Sequence, residues 1–376
     1  MEPVRLGIVG TGAFTRGSHL PVIGSLPGIR VSALCDPDEA NLRQAADLVG
    51  SRVKMCSDYR DLLALPGLEA VLVATPTNRH VEIATAAFNA GKHVFCEKPL
   101  APRPADLSPL LAAWRDSGRL LQVGYVYRYA PVFRRMRAWI ERGDLGRPRM
   151  MWAHEFRAAF YTAWRYDVTI SGGTMVEKCC HHFDLFHWML GGPVTRVSGF
   201  GGQAVVRPGA LVETIIGTTL RVPDSPILDH AWVLTSHTNG THASLGLSLF
   251  APHGPHGKTD ADLESLDVGV IGDAGKLVAY VRPNELHFWP HAGGAVRIER
   301  IEPDPGLPQG WHAGGREQWE EFVTCVQTGR SPACDGILGV QGLLPAFAAE
   351  RVIQEGRVVS LEEIASEANV RWPEIL

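Results

Sequence analysis

Two cysteines, two histidines and two carboxylates fall within eight residues, "EKCCHHFD" at positions 177–184. Side chains of these types bind zinc and other transition metals, so the segment could hold a metal ion. It lies in a helix-length apolar stretch with two glycines at each end. Because neighbouring helix residues point about 100° apart, both cysteines and both histidines cannot converge on one ion. The sequence therefore predicts no metal here, with a three-ligand site of Glu177, His181 and Asp184 as the alternative.

The same three residues suit proton transfer. Glu177, His181 and Asp184 are spaced by four and three positions, which places them on one face of a helix. An imidazole with an ordinary pKa near about 6.5 exchanges protons at neutral pH, and a carboxylate can hold its tautomer. His181 is thus a candidate general base, and Glu177 is a second candidate catalytic residue. The cysteines then pack as small apolar groups.

A glycine-rich turn follows the first apolar strand, in "VRLGIVGTGAF". Gly10 and Gly12 stand where a dinucleotide-binding loop needs a tight turn and a close approach to a pyrophosphate, while Thr15 replaces the third glycine. Asp36 ends the next strand, about twenty residues on, where it can accept hydrogen bonds from ribose hydroxyls. The alternative for Asp36 is the N-cap of the following helix, a role that Asp38 could equally take.

Strand-like and helix-like segments alternate through the first 125 residues. This order predicts a parallel, doubly wound sheet that binds ligands beyond the carboxyl ends of its strands. Three polar segments fall at such ends: the loop at Gly10, "TPTNRH" at 75–80 and "EKP" at 97–99. The candidate cofactor-binding residues are Gly10, Gly12, Ala13, Phe14, Asp36, Thr75, Pro76, Asn78, His80, Glu97 and Lys98.

From about residue 194 the pattern changes to β-like runs without helices between them, which predicts a mostly antiparallel sheet. We therefore expect a NAD-binding domain at 1–125 and an α/β domain for substrate binding and oligomerisation at 126–376. One face of such a sheet can associate, so a homodimer or homotetramer through this sheet is expected. The long polar loop "APHGPHGKTDAD" at 251–262 is a candidate lid or contact loop.

Composition narrows the classes of protein. A chain of 376 residues with 45% hydrophobic and 20% charged residues is typical of a globular protein of two domains. The net charge of -4 lacks the excess of positive charge that is typical of proteins that bind nucleic acid or an anionic membrane. The N-terminus resembles no secretory leader, no apolar run is long enough to span a membrane, and the seven cysteines are scattered. These features predict a cytoplasmic protein with reduced thiols.

The segment "NAGKHVFCEKPLA" resembles a motif of the Gfo/Idh/MocA oxidoreductases, the family of glucose–fructose oxidoreductase and inositol dehydrogenase. "GIVGTG", "CDPD" and "GGTMVEKCCHHFDLFHWMLGG" are similar to other segments of the family, so the resemblance extends from about residue 4 to 193; beyond it only short stretches such as "GREQWEEF" match. It implies a Rossmann domain followed by an α/β domain with a large, open, mostly antiparallel sheet. It also implies NAD or NADP, with a sugar, cyclitol or related polyol as substrate.

The resemblance also implies roles for single residues. A cis Lys98–Pro99 bond would aim Lys98 at the nicotinamide and the substrate. Family members have Asp, then His, then Asp at the positions of Glu177, His181 and Asp184, so this chain departs at the first. In the implied oxidation of a secondary alcohol, or its reverse, His181 takes the hydroxyl proton and Lys98 stabilises the oxyanion. Further candidates for substrate binding are Tyr127, Arg128, Arg157, Tyr161, Trp164, Arg165 and Asp184.

The sequence leaves alternatives for the cofactor and for the type of activity. NAD is favoured over NADP because Asp36 would repel a 2′-phosphate and no basic residue follows it in "CDPDEA". Arg16, near the glycine loop, is the one residue that argues for NADP. The alternatives to a dehydrogenase are an enzyme that cleaves glycosides by transient oxidation with NAD, and a NAD-sensing protein without turnover.

Overall fold

The computed structural model describes residues 2–50, 53–251, 265–281, 284–302 and 313–371. They form two compact units. The first comprises the described residues of Met1–Tyr129, Asp304–Val340 and Ala368–Val370, and the second those of Ala130–Pro303, Gln341–Glu367 and Arg371–Leu376. Apart from Ala251, the candidate lid loop at 251–262 lies outside the described residues.

A six-stranded sheet forms the centre of the first unit. Its strands are β1 (Val4–Val9), β2 (Ile29–Cys35), β3 (Lys54–Cys56), β4 (Ala70–Val73), β5 (His93–Cys96) and β6 (Leu121–Val123). Five helices lie between them in the chain: α1 (Leu20–Gly24), α2 (Glu39–Val49), α3 (Tyr59–Leu63), α4 (His80–Asn89) and α5 (Leu107–Ser117). The order is β3-β2-β1-β4-β5-β6 and every pair is parallel, which confirms the predicted doubly wound sheet. Buried on both faces, β4 has the continuous apolar run expected of such a strand.

The second unit contains a nine-stranded sheet and a small two-stranded one. The strands are β7 (Pro148–Phe156), β8 (Val194–Gly202), β9 (Leu211–Glu213), β10 (Thr219–Arg221), β11 (His230–His237), β12 (His242–Ser248), β13 (Ser265–Gly272), β14 (Gly275–Tyr280), β15 (Glu285–Pro290), β16 (Arg297–Arg300) and β17 (Val359–Ser360). The large sheet has the order β16-β15-β14-β13-β7-β12-β11-β8-β17, and all its pairs except β7–β12 are antiparallel. The predicted mostly antiparallel sheet is thus confirmed.

Side chains alternate across the large sheet as a pleated strand requires. On β11, Ala231 and Val233 are buried, while Trp232 and Leu234 are exposed. One face of the sheet is therefore buried within the unit, and the other exposes apolar side chains.

The helices that precede or follow the early strands of this unit are α6 (Pro131–Glu141), α7 (Val168–Ser171) and α8 (Cys180–Leu190).

Three helices follow near the C-terminus: α9 (Gly315–Thr328), α10 (Gly336–Glu355) and α11 (Leu361–Glu367). Trp319 and Phe322 of α9 are buried in the core of the first unit, where the Trp319 ring stacks on Phe95 with centroids 4.5 Å apart. Two large aromatic side chains bury enough apolar area to keep this segment on the first sheet. The grouping therefore differs from the predicted division at 125/126, which assigned the whole C-terminal half to the second domain.

In the described part of the chain, α10 is long and apolar enough to cross a membrane by length and composition. Its most apolar window is 72% buried within the fold, as a core helix would be. Core helices pass the same test of length and composition, so the helix is weak evidence for a membrane span.

Candidate functional site

The glycine loop after β1 has the geometry of a phosphate-binding turn. Gly10 has a φ of +95°, and a Cβ there would lie 2.4 Å from the Ala74 carbonyl oxygen, so only glycine fits. Around the place of a Gly12 Cβ, no heavy atom of the described residues lies within 4 Å, which leaves room at the loop. Thr15 closes the turn by donating its hydroxyl to the Gly10 carbonyl over 2.7 Å. The turn therefore fits a pyrophosphate without the third glycine.

The two aspartates after β2 have different partners. Asp38 caps α2, since its side chain accepts from the Ala40 N–H at 2.8 Å and the Asn41 N–H at 3.2 Å. Asp36 instead accepts the Thr11 N–H at 2.7 Å through Oδ2, beside the glycine loop. The alternative of Asp36 as the cap is thereby excluded. Its carboxylate lies at the carboxyl end of β2, where a nucleotide ribose binds in such sheets.

The segments after β4 and β5 are tied together by His80. Its Nε2 lies 2.8 Å from the Thr75 carbonyl oxygen and its Nδ1 lies 2.8 Å from the Pro99 carbonyl oxygen. The Lys98–Pro99 peptide bond is cis, as the resemblance implied. Lys98 is half-buried, and Pro76 and Asn78 are exposed. Both ring nitrogens of His80 therefore contact backbone carbonyls of these loops, so His80 connects the two segments.

Glu97 is held from several sides at the end of β5. Its Oε1 lies 3.0 Å from His19 Nε2, and its Oε2 accepts the Lys98 N–H at 3.2 Å. A Cβ at Gly124 would meet the carboxylate at 2.7 Å, so the glycine makes room for it. Phe14 packs edge-on against His19 with ring centroids 5.2 Å apart, and Ala13 is exposed. The structure thus brings the "EKP" segment and the helix after the glycine loop together within the first unit.

In the second unit, the "EKCCHHFD" segment is helical, and it begins with a π-helical turn at Met175–Cys179 before α8. Arg165 Nε donates to Glu177 Oε1 over 3.0 Å, and both side chains are largely buried. The guanidinium lies over the rings of Tyr161 and Trp164, 5.0 and 5.1 Å from their centroids. Burial would lower the pKa of Arg165, but Glu177 raises it, and the net shift is upward. Four predicted site residues therefore form one charged and aromatic group.

A second buried ionic group surrounds Glu155 of β7; we call Glu155, Arg157, Lys178 and His182 the Glu155 cluster. Lys178 Nζ lies 2.9 Å from Glu155 Oε1, and His182 Nε2 lies 3.1 Å from Oε2. Arg157 Nη1 lies 3.7 Å from Oε1. Burial alone would raise the pKa of Glu155, but Lys178, His182 and Arg157 hold it well below its usual range. The two cationic side chains of Lys178 and Arg157, together with the His182 imidazole, thus stabilise one buried carboxylate beside the turn that holds Glu177.

The remaining predicted residues lie in separate surroundings. His181 and Asp184 are buried on the helical segment of the second unit. Tyr127 and Arg128 belong to the first unit and are buried there, and Arg128 donates to the Ala333 carbonyl at 3.3 Å. All the candidate cofactor-binding residues lie in the first unit. His19, Glu155 and Gly124 were missed by sequence reasoning.

The cysteines at 179–180 pack as apolar groups. All seven cysteines of the chain are buried, and no disulfide joins any of them. Burial raises the pKa of Cys179 well above its ordinary value, which disfavours the thiolate that a metal needs. Across the residues that the structure describes, no three His, Cys, Asp or Glu side chains are placed to hold a metal ion.

Glu350 of α10 anchors the start of the same helical segment. Its Oε1 accepts the Met175 N–H over 2.8 Å. A Cβ at Gly173, whose φ is +99°, would lie 2.4 Å from that oxygen, so the glycine permits the approach. Burial raises the pKa of Glu350 to about 7, and the Met175 hydrogen bond opposes the rise.

This shift predicts a dependence of stability on pH. The folded state holds the Glu350 proton up to about pH 7, whereas the unfolded chain releases it near 4.5. The free energy of unfolding should therefore fall as pH rises through that window, by about 3 kcal/mol. Glu350→Gln, which resembles the protonated form, should not show this fall in urea unfolding measured across the window. Glu362→Gln, at an exposed position, is the control, and parallel curves for Glu350→Gln and the wild type would contradict the assignment.

The chain matches two models of one protein family. Residues 4–125 match the model described as an oxidoreductase family with a NAD-binding Rossmann fold. Residues 133–278 match the C-terminal domain model of the GFO/IDH/MocA proteins. The two matches together cover more than half of the chain, and their order is that of the two predicted domains.

Relatives extend the similarity along most of the chain. An uncharacterized oxidoreductase, YrbE, of Bacillus subtilis (strain 168) is 26% identical over 95% of this chain and 96% of its own. A myo-inositol 2-dehydrogenase of Thermotoga maritima is 27% identical over 96% of this chain and 99% of its own. A solved levoglucosan dehydrogenase, in complex with NADH and levoglucosan, has a TM-score of 0.81 at 20% identity, over 96% of this chain and 99% of its own. At 20% identity, the similarity to the levoglucosan dehydrogenase shows a shared fold only.

Proposed function

Because the chain belongs to the Gfo/Idh/MocA oxidoreductase family, with a NAD-binding Rossmann fold as its first domain, we propose that it is a NAD-dependent dehydrogenase of sugars, inositols or related polyols. The reaction transfers a hydride between the nicotinamide and a secondary hydroxyl or ketone. The observation that supports this most is the anchored "EKP" segment, in which Glu97 and His80 hold the backbone on either side of Lys98. The relatives named myo-inositol 2-dehydrogenase and levoglucosan dehydrogenase support the class of substrate.

In this proposal each residue has one task. NAD, when bound, supplies the hydride acceptor for the substrate carbon. His181 removes the proton of the substrate hydroxyl as general base, and the Lys98 ammonium stabilises the negative charge that develops on that oxygen. Glu177 holds the Arg165 guanidinium by their 3.0 Å ion pair and keeps negative charge near the base. Both directions of the reaction use the same groups.

We assign polyol recognition to the aromatic and cationic group around Arg165. Guanidinium N–H groups donate to hydroxyl oxygens, and the faces of Tyr161 and Trp164 suit the C–H faces of a sugar ring. Asp184 completes this set as a proposed acceptor for substrate hydroxyls. Arg128 donates to the Ala333 carbonyl and Arg157 lies 3.7 Å from Glu155, and these contacts support a role in packing for both. Tyr127 stays a candidate for substrate binding.

The cofactor is proposed to be NAD rather than NADP because of Asp36. Its carboxylate is fixed by the Thr11 N–H where a 2′-phosphate would meet it. Arg16, the residue that could favour NADP, donates to the Thr11 carbonyl at 2.6 Å and to Asn41 Oδ1 at 2.8 Å. Its Nη1 thus already has acceptors in the glycine loop and in the first turn of α2.

We predict that a fluorescence titration shows tighter binding of NADH than of NADPH. Asp36→Asn keeps an acceptor for Thr11 but removes the charge, so it should reduce the ratio of NADH to NADPH affinity by roughly fivefold, the effect of about 1 kcal/mol of repulsion. Asp38→Asn, which changes the helix cap, should leave the preference as it is. Tighter NADPH binding by the wild type would overturn the assignment of NAD.

The proposed function is tested by a panel of polyols, inositols and sugars assayed for reduction of NAD. At least one cyclitol or sugar should give NADH at a steady rate. If the protein binds NADH but reduces NAD with none of them, the NAD-sensing alternative is favoured instead.

We also propose that the protein is a cytoplasmic homodimer or homotetramer, associated through the nine-stranded sheet. Phe200, Trp232 and Leu234 are exposed on this sheet, which supports the choice of surface. With a net charge of -4, neither nucleic acid nor a membrane surface is expected as a partner.

A further inference from the structure

A chain of hydrogen bonds within the first unit joins α9 to Glu97. Trp319 Nε1 lies 3.0 Å from His19 Nδ1, and His19 Nε2 lies 3.0 Å from Glu97 Oε1. The exposed fractions of Trp319, His19 and Glu97 are 1%, 5% and 8%, so water competes little for these bonds. Trp319 and His19 are 300 positions apart in the sequence.

The direction of the bonds follows from chemistry. An indole N–H can only donate, so His19 Nδ1 must be the acceptor from Trp319. The proton of the imidazole is then on Nε2, from which it is donated to the Glu97 carboxylate. Trp319 therefore selects the one His19 tautomer that can bind Glu97.

Packing holds both rings in place. His19 ends the π-helical turn Thr15–His19, and the planes of the His19 and Trp319 rings lie at 88° with centroids 5.7 Å apart. Trp319 also stacks on Phe95 with ring centroids 4.5 Å apart, and Phe95 lies on β5 two residues before Glu97, which directly follows the strand. The indole thus has little freedom to turn away from His19.

We propose that Trp319 and His19 are positioning residues of the dehydrogenase: they fix the Glu97 carboxylate, and Glu97 fixes Lys98. The second step is the bond from the Lys98 N–H to Glu97 Oε2. A carboxylate that turned away would release the backbone at Lys98, and a displacement of about 1 Å in oriented catalysis can lower turnover by about 10². The part of this inference that concerns Lys98 rests on the proposed function, whereas the tautomer of His19 does not.

The tautomer is tested on the protein without cofactor, by NMR of isotope-labelled histidine. The His19 signals, assigned by their loss in His19→Gln, should show a protonated Nε2 and an unprotonated Nδ1. Trp319→Phe keeps an aromatic ring but removes the donor, so the His19 Nδ1 signal should shift as its hydrogen bond is lost, while Nε2 still donates to Glu97. A protonated Nδ1 in the wild type, or an unchanged His19 spectrum in Trp319→Phe, would overturn the inference.

The link to Lys98 is tested by a double-mutant cycle on kcat with the best substrate. His19→Leu should lower kcat by on the order of 10² when Lys98 is present, and by less than about threefold in the Lys98→Met background. His19→Gln should restore part of the loss, because its amide N–H can donate to Glu97. Equal losses in both backgrounds would show that His19 acts only on the fold and would overturn the positioning role.

Trp114→Phe is the matched control for Trp319→Phe. Trp114, like Trp319, donates its indole N–H, but its acceptor is the Arg119 carbonyl at 2.9 Å, and it makes no described bond to His19 or Glu97. The Trp114→Phe substitution should leave both kcat and the His19 spectrum unchanged. If the wild type oxidises no polyol, the proposed function fails, and the histidine spectra by themselves decide whether Trp319 and His19 fix Glu97.

Discussion

Replacing His181 by alanine is expected to lower kcat with the best substrate by about 10²–10⁴, the usual cost of losing a general acid–base group. The binding of NADH should change little, since His181 belongs to the second unit and the glycine loop, Asp36 and Glu97 belong to the first. Steady-state kinetics and a NADH titration of the same preparation measure the two effects.

His187→Ala is the control for this prediction. His187 lies in the last turn of α8, the helix that contains His181, and is half-buried. Its loss should keep kcat near that of the wild type. Near-normal turnover in His181→Ala would remove His181 from the mechanism, and equal losses in both variants would indicate damage to the helix instead.

Lys98→Ala is the second substitution with a large expected effect. Loss of one preorganised charge facing a developing oxyanion typically lowers kcat by about 10²–10³. We expect a reduction of at least that size with NADH affinity largely kept, because the backbone at Lys98 remains held by Glu97 and His80. Rates at saturating substrate measure the loss in kcat, and a NADH titration of the same variant measures its affinity for the cofactor.

Lys92→Ala serves as the matched control. Lys92 precedes β5 in the same segment, and its Nζ donates to the Leu68 carbonyl at 3.0 Å, which gives it a role in packing. Its loss should leave kcat unchanged. If Lys98→Ala turned over substrate at the wild-type rate, the proposed oxyanion partner would be wrong.

Features that depend on local sequence were predicted well. Alternating strands and helices, with glycines at Gly10 and Gly12, indicated the parallel sheet, because these signals need only neighbouring residues. The choice between Asp36 and Asp38 as helix cap could not be made, since both types suit an N-cap. The hydrogen bonds decided it: Asp38 accepts the N–H groups of Ala40 and Asn41, whereas Asp36 accepts that of Thr11.

Partners far apart in sequence could not be predicted. Glu155 lies 27 positions from His182, and nothing in the pattern of either segment pairs them. One signal was present: Met151, Ala153 and Glu155 alternate along β7, so a carboxylate falls on the buried face of the strand. A carboxylate on a buried face requires cationic or hydrogen-bonding partners, which here come from Arg157, Lys178 and His182 of the Glu155 cluster.

The packing of α9 against the first sheet could not be predicted from the sequence either. The segment "GREQWEEF" indicated a helix, but its helical pattern contains no information on which sheet covers its apolar face. Trp319 and Phe322 pack with Phe95 of the first unit, so this helix contributes to the surroundings of Glu97. A division of the chain at one position therefore cannot describe the two units.

The central claim, net oxidation of a polyol by NAD, is tested most directly by the stoichiometry of a complete reaction. The wild-type protein should form one NADH for each ketone produced from its best polyol or sugar substrate, and His181→Ala should form both products more slowly in the same ratio. An enzyme that cleaves glycosides by transient oxidation would release the aglycone of an aryl glycoside with no net NADH. Equal amounts of NADH and ketone would support the dehydrogenase, and glycoside cleavage without net NADH would contradict it.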